Sequence, residues 1–155
     1  SDMPQASELR DFELMRNVFR EALRLYPPVG FFAREAAQAD QMRDKQIAPN
    51  AAMVIAPWLI HRHRTLWHQP DVFDPDRHDT AAGKESARCA YLPFGMGPRV
   101  CIGAAFAQQE ASLILAALVQ RYRFRAVPGF IPQPVGRLTI RSANGMLLHI
   151  EKRPL

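Results

Sequence analysis

The stretch Phe94-Gly95-Met96-Gly97-Pro98-Arg99-Val100-Cys101-Ile102-Gly103 constrains this chain more than any other. Two glycines and a proline between Phe94 and Val100 disfavour a regular helix or strand and favour a tight turn that exposes backbone. Helical pattern begins directly afterwards, at about Ile102, and runs to Tyr122, so Cys101 is expected at the mouth of a long helix. A thiol there meets free backbone N–H groups and the positive end of the helix dipole, which favours the thiolate and suits it to a metal. Arg99, two residues earlier, adds a positive charge. The other cysteine, Cys89, makes no disulfide framework with it, and a Cys89–Cys101 bridge would use up the thiol that the loop presents. Both are therefore read as reduced, in a cytoplasmic setting.

Composition sets the outer bounds. A chain of 155 residues can bury one core, and 48% hydrophobic with 23% charged residues describes a globular sequence rather than a disordered one. Thirteen prolines imply long irregular connections. The longest apolar run, Leu113 to Val119, falls far short of the roughly 20 residues that a membrane span needs. A formal charge of +5 points to acidic partners, yet the basic residues are scattered and no nucleic-acid motif accompanies them, so nucleic acid is excluded. What remains is a solvated basic surface, or an acidic redox partner docking near Arg88 and Arg99.

Ahead of the loop, Glu8 to Tyr26 reads as a helix. Leu14, Val18, Ala22 and Leu25 lie along one face, with Phe12, Met15, Phe19, Leu23 and Tyr26 beside it, so burial on several sides is expected. Pro27-Pro28 ends it. Glu21 and Arg24, three apart, share a helix face, as in an ordinary surface ion pair. Val29 to Glu35 and Met53 to Ile60 read as strands, with a turn at Ala48-Pro49-Asn50. In such a strand Phe31 and Phe32 equally suit plain core packing. His61, His63 and His68 invite a metal reading, but no carboxylate or cysteine stands at a zinc-like spacing, and that reading is rejected. Gln69 to Ala90 is polar and proline-bearing, with Ala81 to Ser86 expected as a flexible loop. At the end, Arg137–Arg141 and Met146–Ile150 are expected to form a hairpin across the Asn144-Gly145 step.

The spacing Phe94-x-x-Gly97-x-Arg99-x-Cys101-x-Gly103 resembles the heme-binding loop of the cytochrome P-450 family at every fixed position. The resemblance implies that Cys101 is the axial thiolate of heme iron (iron protoporphyrin IX), that Phe94 packs beside the sulfur, and that Arg99 meets a heme propionate. Glu21-x-x-Arg24 followed by Tyr26-Pro27-Pro28 is similar to the family's K helix and its exit, and Phe73-x-Pro75-x-Arg77 to the segment that completes a Glu–Arg–Arg cluster. Glu21, Arg24 and Arg77 are then a structural ion cluster, with His78 departing from the phenylalanine usual after that arginine. By position, Val29, Gly30 and Phe31 would line the substrate pocket and Arg34 would reach a propionate. The run His61-Arg62-x-x-x-Leu66-Trp67 is also family-like and structural.

The fold so implied is α+β, mainly α: K helix, small β-sheet, meander, Cys loop, L helix and C-terminal β-hairpin. Residues 1–155 would be the last third of a cytochrome P-450 domain, without the distal helices that cover the heme. For the parent, the resemblance implies monooxygenation of an apolar small molecule with dioxygen and two electrons from a ferredoxin or flavin reductase. A heme-thiolate peroxygenase or isomerase is the enzymatic alternative. The isolated chain, lacking the upstream portion of the same protein, is expected to be a heme-free, inactive and self-associating piece.

Overall fold

The computed structural model describes residues 12–154. Helix α1 spans Glu13–Leu25, with Glu13 in its first turn and Arg24 in its last, each complementing the helix dipole. It stops where Tyr26 N–H bonds to Ala22 O at 2.7 Å, just before the proline pair. The expected start from Glu8 to Asp11 lies outside the described residues. The buried side differs from the apolar face expected: Asn17, Glu21, Leu23, Arg24 and Leu25 are buried, while Leu14 is 58% exposed. Asn17, Glu21 and Arg24 stack along one side at helical spacing, and what covers them is the polar segment 61–79 rather than aliphatic neighbours.

Four two-stranded antiparallel sheets follow. β1 (Phe32–Glu35) pairs with β4 (Ala52–Ile55), setting Phe32 opposite Ile55 and Arg34 opposite Met53. The hairpin β2 (Asp40–Met42) and β3 (Lys45–Ile47) is inserted between them. Asn50, at φ 63°, makes the expected turn. Both expected strands are shorter than predicted. Residues 29–31 bend after the proline pair, and Pro57 opens a short helix α2 (Pro57–Ile60), a position where its missing N–H costs nothing.

The segment expected as a flexible loop is a helix, α3 (Ala81–Ala90). Thr80 caps it, accepting a bond from Gly83 N–H at 2.9 Å, and Glu85 pairs with Arg88 at 2.7 Å on its outer face. Gly83 is obligatory: a Cβ there would lie 1.8 Å from Arg77 O. Gly83→Ala should therefore cost about 1–3 kcal/mol, read as a lower urea midpoint with unchanged slope. Lys84→Ala on the exposed side should leave the midpoint alone.

Helix α4 runs Ala104–Arg121, starting later than expected because Ile102-Gly103 is a turn. It feeds β5 (Tyr122–Ala126), which pairs with β8 (Leu148–Lys152), while β6 (Pro134–Gly136) pairs with β7 (Ile140–Ser142). The expected hairpin across Asn144-Gly145 is thus corrected. Gly145 does turn, at φ 79°, but the Asn144 side chain binds Gln133 N–H and Ile131 O, at 2.8 and 3.0 Å, and β8 finds a longer partner in β5. No described helix is long and apolar enough to cross a membrane.

The interior is unusual in its chemistry. Among the largest fully buried side chains of the described residues are Arg24, His61, His78 and Glu21 beside Trp67, whereas Phe106, Ile114 and Leu118 of α4 are exposed. Much of the most deeply buried part of the described residues is a polar cluster.

Candidate functional site

The cysteine loop is a chain of backbone turns. Gly95 and Gly97 sit at φ 74° and 75°, a region that disfavours side-chain-bearing residues. Gly95 N–H bonds to Leu92 O at 3.1 Å, Val100 N–H to Gly97 O at 3.0 Å, and Cys101 N–H to Phe94 O at 2.8 Å. The last bond closes the loop and leaves the Cys101 thiol exposed. A Cβ on Gly103 would stand 3.9 Å from its sulfur, in ordinary van der Waals contact.

Cys101 faces a hollow of about 360 Å³ whose wall includes Phe94, Arg99, Arg34, Val29 and Phe32. Arg34 comes from β1, braced by a 2.9 Å bond to Ala33 O and lying over the Phe32 ring at 4.8 Å. Among the described residues neither Arg34 nor Arg99 forms an ion pair with a carboxylate. Gly97 shapes the loop from outside the wall. Of the three residues expected in a substrate pocket, only Val29 shares this hollow. Gly30 and Phe31 line a neighbouring cavity of about 390 Å³ with Trp58 and Ile140.

Behind the hollow, Glu21 Oε1 accepts bonds from Arg24 Nη2, Arg77 Nε and Asp74 N–H at 2.8, 2.9 and 3.1 Å. Its Oε2 accepts from Arg24 Nε at 2.9 Å and His78 Nε2 at 3.1 Å. Burial by itself would raise the carboxyl pKa. The bonds from His78, Arg24 and the Asp74 backbone, with the Arg24 charge, outweigh it and hold the group well below the usual carboxylate range. The remaining guanidinium N–H groups donate to backbone carbonyls: Arg24 Nη1 to those of His61 and Pro70 and its Nη2 also to Val72 O, and Arg77 Nη1 to His68 O and its Nη2 to Gln69 O and Val72 O. One carboxylate thereby fixes an irregular segment that has no ladder of its own.

Two participants escaped the sequence. His78 is a fourth partner of Glu21, not merely a substitute in packing, and nothing in its spacing distinguishes an imidazole that packs from one that donates. His61 is buried, whereas His63 and His68 are exposed. Its Nδ1 bonds to Arg24 O at 2.9 Å and its Nε2 accepts from Leu92 N–H at 2.8 Å. Burial, with the Arg24 and Arg62 charges, depresses its pKa to about 4, against the support of the bond to the Arg24 backbone. Among the described residues no group of three His, Cys, Asp or Glu side chains could hold a metal ion.

A soft sulfur donor, apolar walls and two unpaired guanidiniums suit a flat apolar disc with a thiophilic metal at its centre and carboxylates at its rim. That donor set defines the heme-thiolate class. The chain belongs to the cytochrome P450 family, whose profile matches residues 1–149. It is 39% identical over 138 residues to cyclooctatin synthase of Streptomyces melanosporofaciens, covering 88% of this chain and 30% of the relative. To cytochrome P-450 4A11 of Homo sapiens it is 37% identical over 136 residues, covering 87% of this chain and 26% of the relative. Among solved structures, retinoic acid-bound cyanobacterial CYP120A1 superposes with a TM-score of 0.91 at 27% identity, covering 99% of this chain and 35% of that one. CYP102L1 gives 0.87 at 27% identity, covering 96% and 33%. The chain thus spans about a third or less of the proteins it matches. The fold is that of these relatives, α+β, and the cofactor of the family is heme.

Proposed function

We propose that this chain is the cysteine-bearing part of a heme-thiolate monooxygenase domain that hydroxylates an apolar small molecule with dioxygen and two electrons. The observation that carries the reading is that Cys101, Arg34 and Arg99 face one hollow. When bound, heme would supply a redox-active iron for dioxygen chemistry, and the Cys101 thiolate would hold that iron and donate electron density to it. The protein's part is placement. Cys101 presents its sulfur from a loop closed by the bond to Phe94 O, and Phe94 lines the same hollow. Arg34 and Arg99 would offset the charge of two propionates, and Gly97 and Gly103 give the loop backbone its shape. Val29 supplies apolar wall to the hollow that Cys101 lines, and Gly30 and Phe31, in the adjoining cavity, would extend that wall toward a substrate. Glu21, Arg24, Arg77 and His78 are scaffold and touch no reacting atom.

Electrons would arrive from an acidic redox partner, a ferredoxin or flavin reductase. It would dock near Arg88 and Arg99, of which Arg88 is exposed on α3 and paired with Glu85 at 2.7 Å. Residues upstream of this stretch in the same protein would close the distal side of the heme, and the two free cysteines suit a reducing, cytoplasmic compartment.

The test is the carbon monoxide difference spectrum of the reduced, heme-loaded full-length protein. A thiolate-type Soret band is expected, and Cys101→Ser should abolish it. A band of the histidine or thiol type in the unsubstituted protein would overturn the reading. Turnover driven by peroxide alone, with none from dioxygen and a reductase, would move the assignment to a peroxygenase. A second state is favoured for these residues in isolation, because Ile102, Phe106 and Ile114 are exposed along and ahead of α4. The 155-residue chain should be heme-free and run above its 17.5 kDa monomer mass. A monomer containing stoichiometric heme would refute that.

A further inference from the structure

We infer that His61 is a positioning residue for the cysteine loop: a neutral imidazole strut that transmits the geometry of the Glu21 cluster to the backbone carrying Cys101. The inference rests on the heme-thiolate reading only for its spectroscopic arm. Its basis is an unbroken series of hydrogen bonds. Glu21 grips Arg24 through both carboxylate oxygens, at 2.8 and 2.9 Å. Arg24 and His61 then bind each other reciprocally. Arg24 Nη1 donates to His61 O at 2.7 Å, and His61 Nδ1 lies 2.9 Å from Arg24 O. An amide oxygen only accepts, so Nδ1 carries the proton. Nε2 is thereby left as an acceptor, and Leu92 N–H fills it at 2.8 Å.

Leu92 is where the strut enters the site. Its carbonyl accepts Gly95 N–H at 3.1 Å, the first turn of the loop, and Phe94 O two residues on accepts Cys101 N–H at 2.8 Å. Leu92 itself lines the hollow that Cys101 faces. The imidazole also stacks on Tyr91, with ring centroids 5.7 Å apart and planes 19° from parallel. Tyr91 is met from another side by His78, at 5.8 Å and 68°. Tyr91 and Leu92 lead into the glycine-rich turn, and His61 meets both. Full burial of the ring keeps water from replacing either bond. A charged ring would lose the Nε2 acceptor, and burial with a pKa near 4 keeps it neutral at physiological pH.

The experiment compares His61→Phe with His61→Gln in the heme-loaded full-length protein, following amide hydrogen exchange and the ferrous carbon monoxide spectrum. Phenylalanine keeps the stack on Tyr91 and loses both bonds, whereas glutamine can donate and accept. With His61→Phe, exchange at Leu92 and Cys101 should quicken about tenfold or more. The Asp74 amide, bound to Glu21 at 3.1 Å, should stay unchanged. Part of the carbon monoxide complex should pass from thiolate to thiol ligation, and His61→Gln should recover most of both signals. Uniform acceleration that includes Asp74, or no change at Leu92 and Cys101, overturns the inference.

Where His61→Phe yields no folded protein, the unsubstituted protein decides. Nitrogen NMR should find His61 protonated at Nδ1 with a hydrogen-bonded Nε2, and Leu92 exchanging as slowly as Cys101. An Nε2–H tautomer or a fast Leu92 amide refutes the strut. If the unsubstituted protein lacks thiolate ligation altogether, the heme reading fails while the exchange data still judge His61.

Discussion

Glu21→Ala is expected to destabilise the protein by about 3–5 kcal/mol and to leave it without heme. Two guanidiniums, an imidazole N–H and a backbone N–H all converge on this one fully buried carboxylate. Removing it strands Arg24 and Arg77 as uncompensated charges where water cannot reach them. A loss of that size rivals the whole stability of a domain, about 5–15 kcal/mol. The carbonyls of residues 68–72 would lose their ordered donors, and with them the path of the chain toward α3 and the cysteine loop. Glu21→Gln keeps the volume and two lone pairs but not the charge, and should recover only part of the loss. The checks are the urea midpoint and the heme-to-protein ratio. A soluble, heme-loaded Glu21→Ala protein with an unchanged midpoint would contradict the scaffold role.

Acid should unfold the protein in two stages, through two groups that titrate one after the other. His61 is depressed from its ordinary 6.5 to about 4 in the folded state, so the unfolded chain takes up a proton first as pH falls. Its contribution is complete above about pH 6.5 and is lost on the way down to about 4, amounting to about 3 kcal/mol. Glu21 is also held below its ordinary value of 4.5, so what it contributes persists above that pH and declines below it. Urea midpoints measured from pH 7 down to about 3 should begin to fall near pH 6.5, with Glu21 joining below 4.5. His61→Phe should flatten the upper part of the profile. A midpoint constant from pH 6.5 to 4.5 would show that His61 is not coupled to folding, and one constant below 4.5 would show the same of Glu21.

What the sequence disclosed was whatever depends on local chemistry. The cysteine turn was legible because glycine, proline and arginine stand at fixed offsets from Cys101, and the Pro27-Pro28 stop and the Asn50 turn followed from dihedral preference. The face of α1 was not legible, because burial there is decided by partners up to 62 residues away, such as Asp79 for Asn17, and not by hydrophobicity. Helix α3 had a visible signal in the Thr80 cap and the Glu85–Arg88 spacing, but its alanines, glycine and polar residues carry no apolar period. The terminal hairpin failed because a turn propensity was weighed without the competing strand β5. His61 and His78 stayed hidden for a further reason: histidine serves as donor, acceptor or ring, and only the neighbour decides which.

The halves of the Glu21 cluster differ in how far apart their members lie along the chain. Glu21 and Arg24 are 3 residues apart, so one turn of helix joins them, but Arg77 is 56 residues from Glu21 and cannot arrive before a long loop has closed. During folding the helix would carry its carboxylate ready-paired on one side and still hydrated on the other, with dehydration delayed to the final docking of the meander. Substitutions at Arg77 should for this reason accelerate unfolding far more than they slow folding, which makes the late-arriving arginine the residue that governs how long the assembled protein lasts.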